Sequence, residues 1–120
     1  MRIRLTFDGK AVEATLLDNA TARDFLSLLP MTLTLEDYNS TEKIGYPPRK
    51  LSADGAPAGV DPSVGDIAYY APWGNLAIFY EDFDYSEGLI GLGRIDSGIE
   101  ALRVPGSLRV TIERVGAVRD

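Results

Sequence analysis

The chain has 120 residues, 45% apolar and 25% charged, which suits a single soluble domain with one core. It has neither cysteine nor histidine, which excludes disulfides, thiol nucleophiles, Cys–metal sites and a Ser-His-Asp triad. The net charge of −6 argues against nucleic acid as partner, and no stretch approaches the roughly 20 apolar residues of a membrane span.

The N-terminus opens on Arg2-Ile3-Arg4-Leu5-Thr6-Phe7, a period-two strand pattern with no apolar run of the kind a secretory leader needs, so a cytoplasmic location is expected. Asp8-Gly9 is a two-residue hairpin signal, and Ala11 to Leu17 is the return strand, with Val12, Ala14 and Leu16 on one face. Ala22, Phe25, Leu26 and Leu29 form one helical stripe behind the cap candidates Asp18 to Thr21, and Pro30 ends it. The helix is expected to close one side or end of a sheet. Met31, Leu33 and Leu35 then alternate as a strand.

After Glu36 the alternation stops for about thirty residues, and the segment to Gly65 reads as a long loop. Strands follow near Asp66–Ala71 and Leu76–Tyr80, joined by the turn that carries Trp73, the one tryptophan of the chain. Asn75 is expected to bond its own backbone in that turn. Glu81 to Glu87 reads as a solvated acidic loop without calcium-loop spacing, and Leu89 to Gly98, punctuated by Gly91, Gly93 and Gly98, as irregular chain. One helical turn is expected within Ser97–Leu102. Leu108, Val110 and Ile112 alternate in a last strand. Arg2, Arg4, Arg109 and Arg119 read as charges of a solvated sheet face. The sum is a mostly β domain of five to seven strands and one or two short helices, a closed or partly closed barrel over residues 1–120.

Three stretches carry a family resemblance: Asp37-Tyr38-Asn39 with Glu42-Lys43-Ile44-Gly45-Tyr46-Pro47-Pro48-Arg49, Gly65 to Asn75 (GDIAYYAPWGN), and Leu92-Gly93-Arg94-Ile95. In this order they resemble the bacterial cyclophilin-like family, small uncharacterised proteins with a cyclophilin-type β-barrel. The resemblance implies that barrel over nearly the whole chain. The histidine-containing signature of true cyclophilins has no counterpart here, so none of its residues is carried over.

Function is expected at a groove between the 37–50 loop and the 71–75 turn, lined by Tyr38, Glu42, Tyr46, Arg49 and Trp73. Aromatic rings there offer stacking, and charged groups offer strong hydrogen bonds, to a small molecule or short peptide. The competing reading makes the 37–50 segment a structural loop, with Glu42 paired to Lys43 or Arg49, and Trp73 a plug of the barrel end. A prolyl isomerase without histidine is a further alternative, since an arginine aimed at the prolyl nitrogen can stabilise the twisted amide, and Arg49 and Arg94 are its candidates. A third reading is an interaction module using a strand edge or aromatic patch. No cofactor, metal, nucleic acid or membrane is expected, and the chain is expected to be a monomer or homodimer.

Overall fold

A computed structural model describes residues 1–116, so Arg119 lies outside the described residues. The first hairpin joins β1 (Arg2–Phe7) to β2 (Lys10–Leu16) through Asp8 and Gly9, at φ of 50° and 72°. Ile3, Leu5, Phe7, Val12, Ala14 and Leu16 face inward. On the outer face Glu13 accepts from Arg2 at 2.6 Å and from Arg4 at 3.1 Å.

Helix α1 (Ala20–Ser27) starts at Asn19, whose side-chain oxygen accepts from the Ala22 amide at 2.8 Å. Ala22 and Phe25 are wholly buried, while Leu26 and Leu29 pack at the margin of the same core. On another side of the helix, Asp24 accepts two bonds from Arg49, at 2.7 and 2.9 Å, and one from the Ser52 amide at 2.7 Å. The helix thereby holds the 49–52 segment against the barrel.

Strand β3 (Met31–Tyr38) runs two residues beyond the apolar alternation. It turns at Asn39 and Ser40, both left-handed with φ of 56° and 53°, into β4 (Glu42–Gly45). The expected thirty-residue loop therefore contains a barrel strand. Two features hid it: β4 carries two charged residues in four, and its turn uses Asn-Ser instead of the usual Asn-Gly.

The short β5 (Gly59–Val60) follows, then the Trp73 hairpin formed by β6 (Asp66–Tyr70) and β7 (Asn75–Phe79). A two-residue β8 (Ser86–Glu87) pairs with β5 as a small separate sheet. Leu89–Ile95 forms β9, a full barrel strand, which corrects the expectation of irregular chain there. Gly93 reflects crowding: a Cβ there would lie 2.2 Å from the Thr15 carbonyl oxygen of β2. A 3-10 turn at Ile99–Leu102 precedes β10 (Leu108–Val115).

Eight antiparallel strands close in the order β1, β10, β3, β4, β7, β6, β9, β2 and back to β1. The barrel thus has more strands than the five to seven read from alternation. Each is flanked by two others, so closure leaves no edge strand in the main sheet. Leu5, Leu35, Ile67, Leu76, Ile78 and Leu92 fill the interior. No helix among the described residues is long and apolar enough to cross a membrane.

The Asp24 bonds have a pH signature. The Arg49 hydrogen bond and the Ser52 amide hold its carboxyl at about 2, against an ordinary 3.8. A depressed carboxylate stabilises the fold above its unfolded pKa and loses that contribution as pH falls through the folded one. Asp24→Asn is expected to cost about 1–2 kcal/mol at pH 7, discounted for partial exposure. In urea unfolding that difference should close between about pH 4 and pH 2.

Candidate functional site

Neighbouring charges on β4 point to opposite faces, as the pleat requires. Lys43 lies opposite Ile78 of β7 and Asp37 of β3, on the inward face. It is 0% exposed. Its ammonium donates to the Val104 carbonyl at 2.7 Å and the Gly106 carbonyl at 2.6 Å, and sits 3.0 Å from Asp37 Oδ1. Asp37 also accepts from the Gly106 amide and the Tyr80 hydroxyl, each at 2.9 Å. Burial alone would raise the Asp37 carboxyl, but the Gly106, Lys43 and Tyr80 bonds outweigh it and hold it below its ordinary value. Burial, with Asp37 alongside, pushes the Tyr80 hydroxyl up to about 12. This network ties the 104–106 loop to the barrel wall and leaves Lys43 without a donor to spare.

Glu42 faces outward. On the outer surface of β3, β4 and β7, Tyr38, Glu42 and Phe79 stand in one cross-strand row. A second row, Asn75, Tyr70 and Leu89, crosses β7, β6 and β9. Between them run Ile44, Ala77 and Ala68. Ala68, Ala77, Phe79 and Leu89 form a second apolar cluster, outside the barrel interior. The rows floor a pocket of about 450 Å³, which Phe83, Ser86, Glu87 and Trp73 also line. That volume falls in the range of small-molecule sites, about 300–1,000 Å³.

Trp73 forms part of the rim and is 48% exposed, so it does not plug the barrel. Its ring meets Tyr38 and Tyr70 edge-on, each at 5.4 Å between centroids. The turn beneath it is pinned by Gly74 N–H to the Tyr70 carbonyl at 2.8 Å and by Ala71 N–H to the Gly88 carbonyl at 2.9 Å.

The floor is polar and deep. Glu42 is 9% exposed and Asn75 2%. The Thr41 hydroxyl donates to Glu42 at 3.0 Å, but burial dominates and raises the carboxyl above its ordinary range. Asn75 begins β7 and does not belong to the turn. Its amide nitrogen donates to the Leu76 carbonyl at 3.0 Å, and its Oδ1 is buried without a partner among the described residues.

Of the residues singled out from sequence, Tyr38, Glu42 and Trp73 meet around this pocket. Tyr46 and Arg49 do not line it: Tyr46 is exposed beyond β4, and Arg49 is engaged with Asp24. Arg94 pairs with Asp66 at 2.7 Å beside a different outer hollow of about 440 Å³, over β2, β6 and β9. Neither Lys43 nor Arg49 pairs with Glu42; their ion-pair partners are Asp37 and Asp24. Among the described residues no three acidic side chains converge as a metal centre would need. Reading the sequence missed Asn75, Tyr70, Phe79, Phe83 and Leu89. A signal for some of them was available: Asn75–Phe79 (NLAIF) is apolar at four of five positions, the pattern of a strand covered on both faces.

Two substitutions separate the faces of β4. Lys43→Met removes the countercharge of Asp37 and the donor to two carbonyls, and is expected to cost about 3–5 kcal/mol in denaturant unfolding. Glu42→Gln should do the opposite. A carboxyl whose folded pKa is raised weighs against folding when ionised, so at pH 7 the variant should melt at a higher temperature. The gain should disappear once pH falls below the ordinary 4.5, where the native Glu42 is also protonated.

Comparison with known structures finds the same fold in the solution structure of a hypothetical protein from Archaeoglobus fulgidus. The TM-score is 0.72 at 23% identity, covering 96% of this chain and 95% of that one. Among curated proteins there is no match. The family model described as the Cyclophilin-like family matches residues 5–113. With the closed eight-stranded barrel and a match over nearly its full length, the chain belongs to the Cyclophilin-like family.

Proposed function

We propose that this domain binds a small molecule, or one side chain of a short peptide, in the outer-face pocket beneath Trp73. One observation carries the reading: a buried polar floor, Glu42 and the unpartnered Asn75 oxygen, lies under an exposed aromatic rim. Leaving a buried acceptor unpaired costs about 1–3 kcal/mol. Keeping an ionisable carboxyl out of water adds to that cost. A purely structural surface has no use for either group there, whereas a binding pocket uses both for orientation.

The isomerase alternative gains no such support. Arg49 and Arg94 are each held by an aspartate, Asp24 and Asp66, and either would have to be released to reach a prolyl nitrogen. The assembly alternative retains the aromatic patch and the edges of the small β5–β8 pair, because closure of the barrel removes the strand edges of the main sheet.

Trp73 is the chain's one tryptophan and lies on the rim, so it reports directly. Screening metabolites and short peptides should find compounds that change Trp73 fluorescence and shift the Asn75 side-chain amide resonances together. Trp73→Ala should abolish that binding while costing about 1–3 kcal/mol of stability, two edge-on ring contacts. If saturating compounds shift only resonances remote from this pocket, the reading fails. The same protein should not accelerate isomerisation of an Ala-Pro peptide, and it should sediment near its monomer mass of 13.1 kDa.

A further inference from the structure

The chemistry of the pocket narrows its occupant further, on the footing of the binding reading above. We infer that it takes an organic cation with N–H donors, an ammonium or guanidinium group on a flat or aliphatic body. The charged groups that face the pocket, Glu42 and Glu87, are both carboxylates, and among the described residues no lysine or arginine lines it. Of the cations near in sequence, Lys43 and Arg94 are committed elsewhere, Arg94 to Asp66. Lys43 is turned inward onto Asp37 and two carbonyls, and Lys50 lies with its methylenes beside Gly74, outside the lining.

Asn75 supplies an independent observation. Donation of its Nδ2 to the Leu76 carbonyl fixes which way the amide points, and the buried group left over is an acceptor. A ligand that satisfies the floor must therefore donate, to Glu42 and, where the side chains above it part, to Asn75 Oδ1, which is closed to solvent. A neutral donor would meet the need at Asn75 while leaving the Glu42 charge uncompensated. An anion would meet two carboxylates and no countercharge. A cation answers all of them, and the rings of Tyr38, Tyr70 and Trp73 add the π-faces that hold ammonium and guanidinium groups.

The test compares three probes of like size on the intact chain: 1-butylguanidine, the neutral N-butylurea, and the anion pentanoate. Binding is read by Trp73 fluorescence and by calorimetry in about 0.15 M salt, where the net charge of −6 is screened beyond contact distance. Butylguanidine should saturate, butylurea should bind at least about tenfold more weakly, and pentanoate should not bind. Glu42→Gln, which stabilises the fold by the argument above, should weaken butylguanidine about tenfold or more, and Glu87→Gln should weaken it less. The peptide acetyl-Gly-Arg-Gly-amide separates sources: binding tighter than butylguanidine supports a cation carried on a peptide, and weaker binding supports a free amine or guanidine.

Butylurea or pentanoate binding at Trp73 as tightly as butylguanidine would overturn the cation assignment and leave the pocket reading standing. Butylguanidine binding that Glu42→Gln leaves unchanged would overturn it as well. If none of the probes, peptide included, changes the Trp73 signal, the cation assignment is overturned, and a hit from the wider screen still decides the pocket reading separately.

Discussion

The Lys43 ammonium is the interaction around which this molecule is arranged. A primary ammonium removed from water must find acceptors for its hydrogens, or burial is prohibitively costly. Lys43 finds the Val104 and Gly106 carbonyls and Asp37, and so draws the 104–106 loop onto the barrel wall. Asp37 in turn takes Tyr80 and the Gly106 amide, so the network locks β3, β4 and the chain entering β10 together. Once Lys43 is inside, the pleat of β4 leaves Glu42 and Ile44 nowhere but outside.

That outward face would be ordinary solvated sheet if nothing lay over it. Instead the 83–87 segment and the Trp73 turn stand on it, and both are anchored: Phe83 N–H reaches the Pro62 carbonyl at 3.1 Å, and Ala71 N–H reaches Gly88. Covering the face makes β7 buried on both sides and carries Glu42 and Asn75 into low-dielectric surroundings. The same covering explains why the Glu42 carboxyl is raised and why one Asn75 acceptor has no partner among the described residues. The cyclophilin-like barrel thus provides a rigid wall, and the segments laid across it make the pocket. Fold alone does not prescribe what such a pocket takes; the proposed cation rests on its carboxylates and orphan acceptor.

Where period-two alternation is clean, the strand is legible. Arg2–Phe7, Met31–Leu35 and Leu108–Ile112 bury every second residue, and Asp8-Gly9 marks its turn. Two barrel strands were opaque for different reasons. In β4 the inward residue is a lysine, and alternation of apolar residues does not register a charge satisfied by loop carbonyls some sixty positions away. In β9 Gly93, which looks like a break, is a spacer that lets β2 approach closely.

The candidate site divides in the same way. Tyr38, Glu42 and Trp73 stand out as aromatic and charged residues around local breaks in pattern, and they do meet. Tyr46 and Arg49 look equivalent in sequence, yet the chain leaves the sheet after Gly45, and Arg49 is captured by Asp24 of the helix. Asn75 looked like a turn residue because it follows Gly74; only the register Tyr70 to Asn75 makes it the first residue of a buried strand. By itself, then, the sequence determined that this is a small β-barrel, that histidine and cysteine chemistry is closed to it, and that its aromatics gather near Trp73. Tertiary structure decided which side of the wall each charge occupies, because a side chain's face depends on strand register, and register is set by partners remote in sequence.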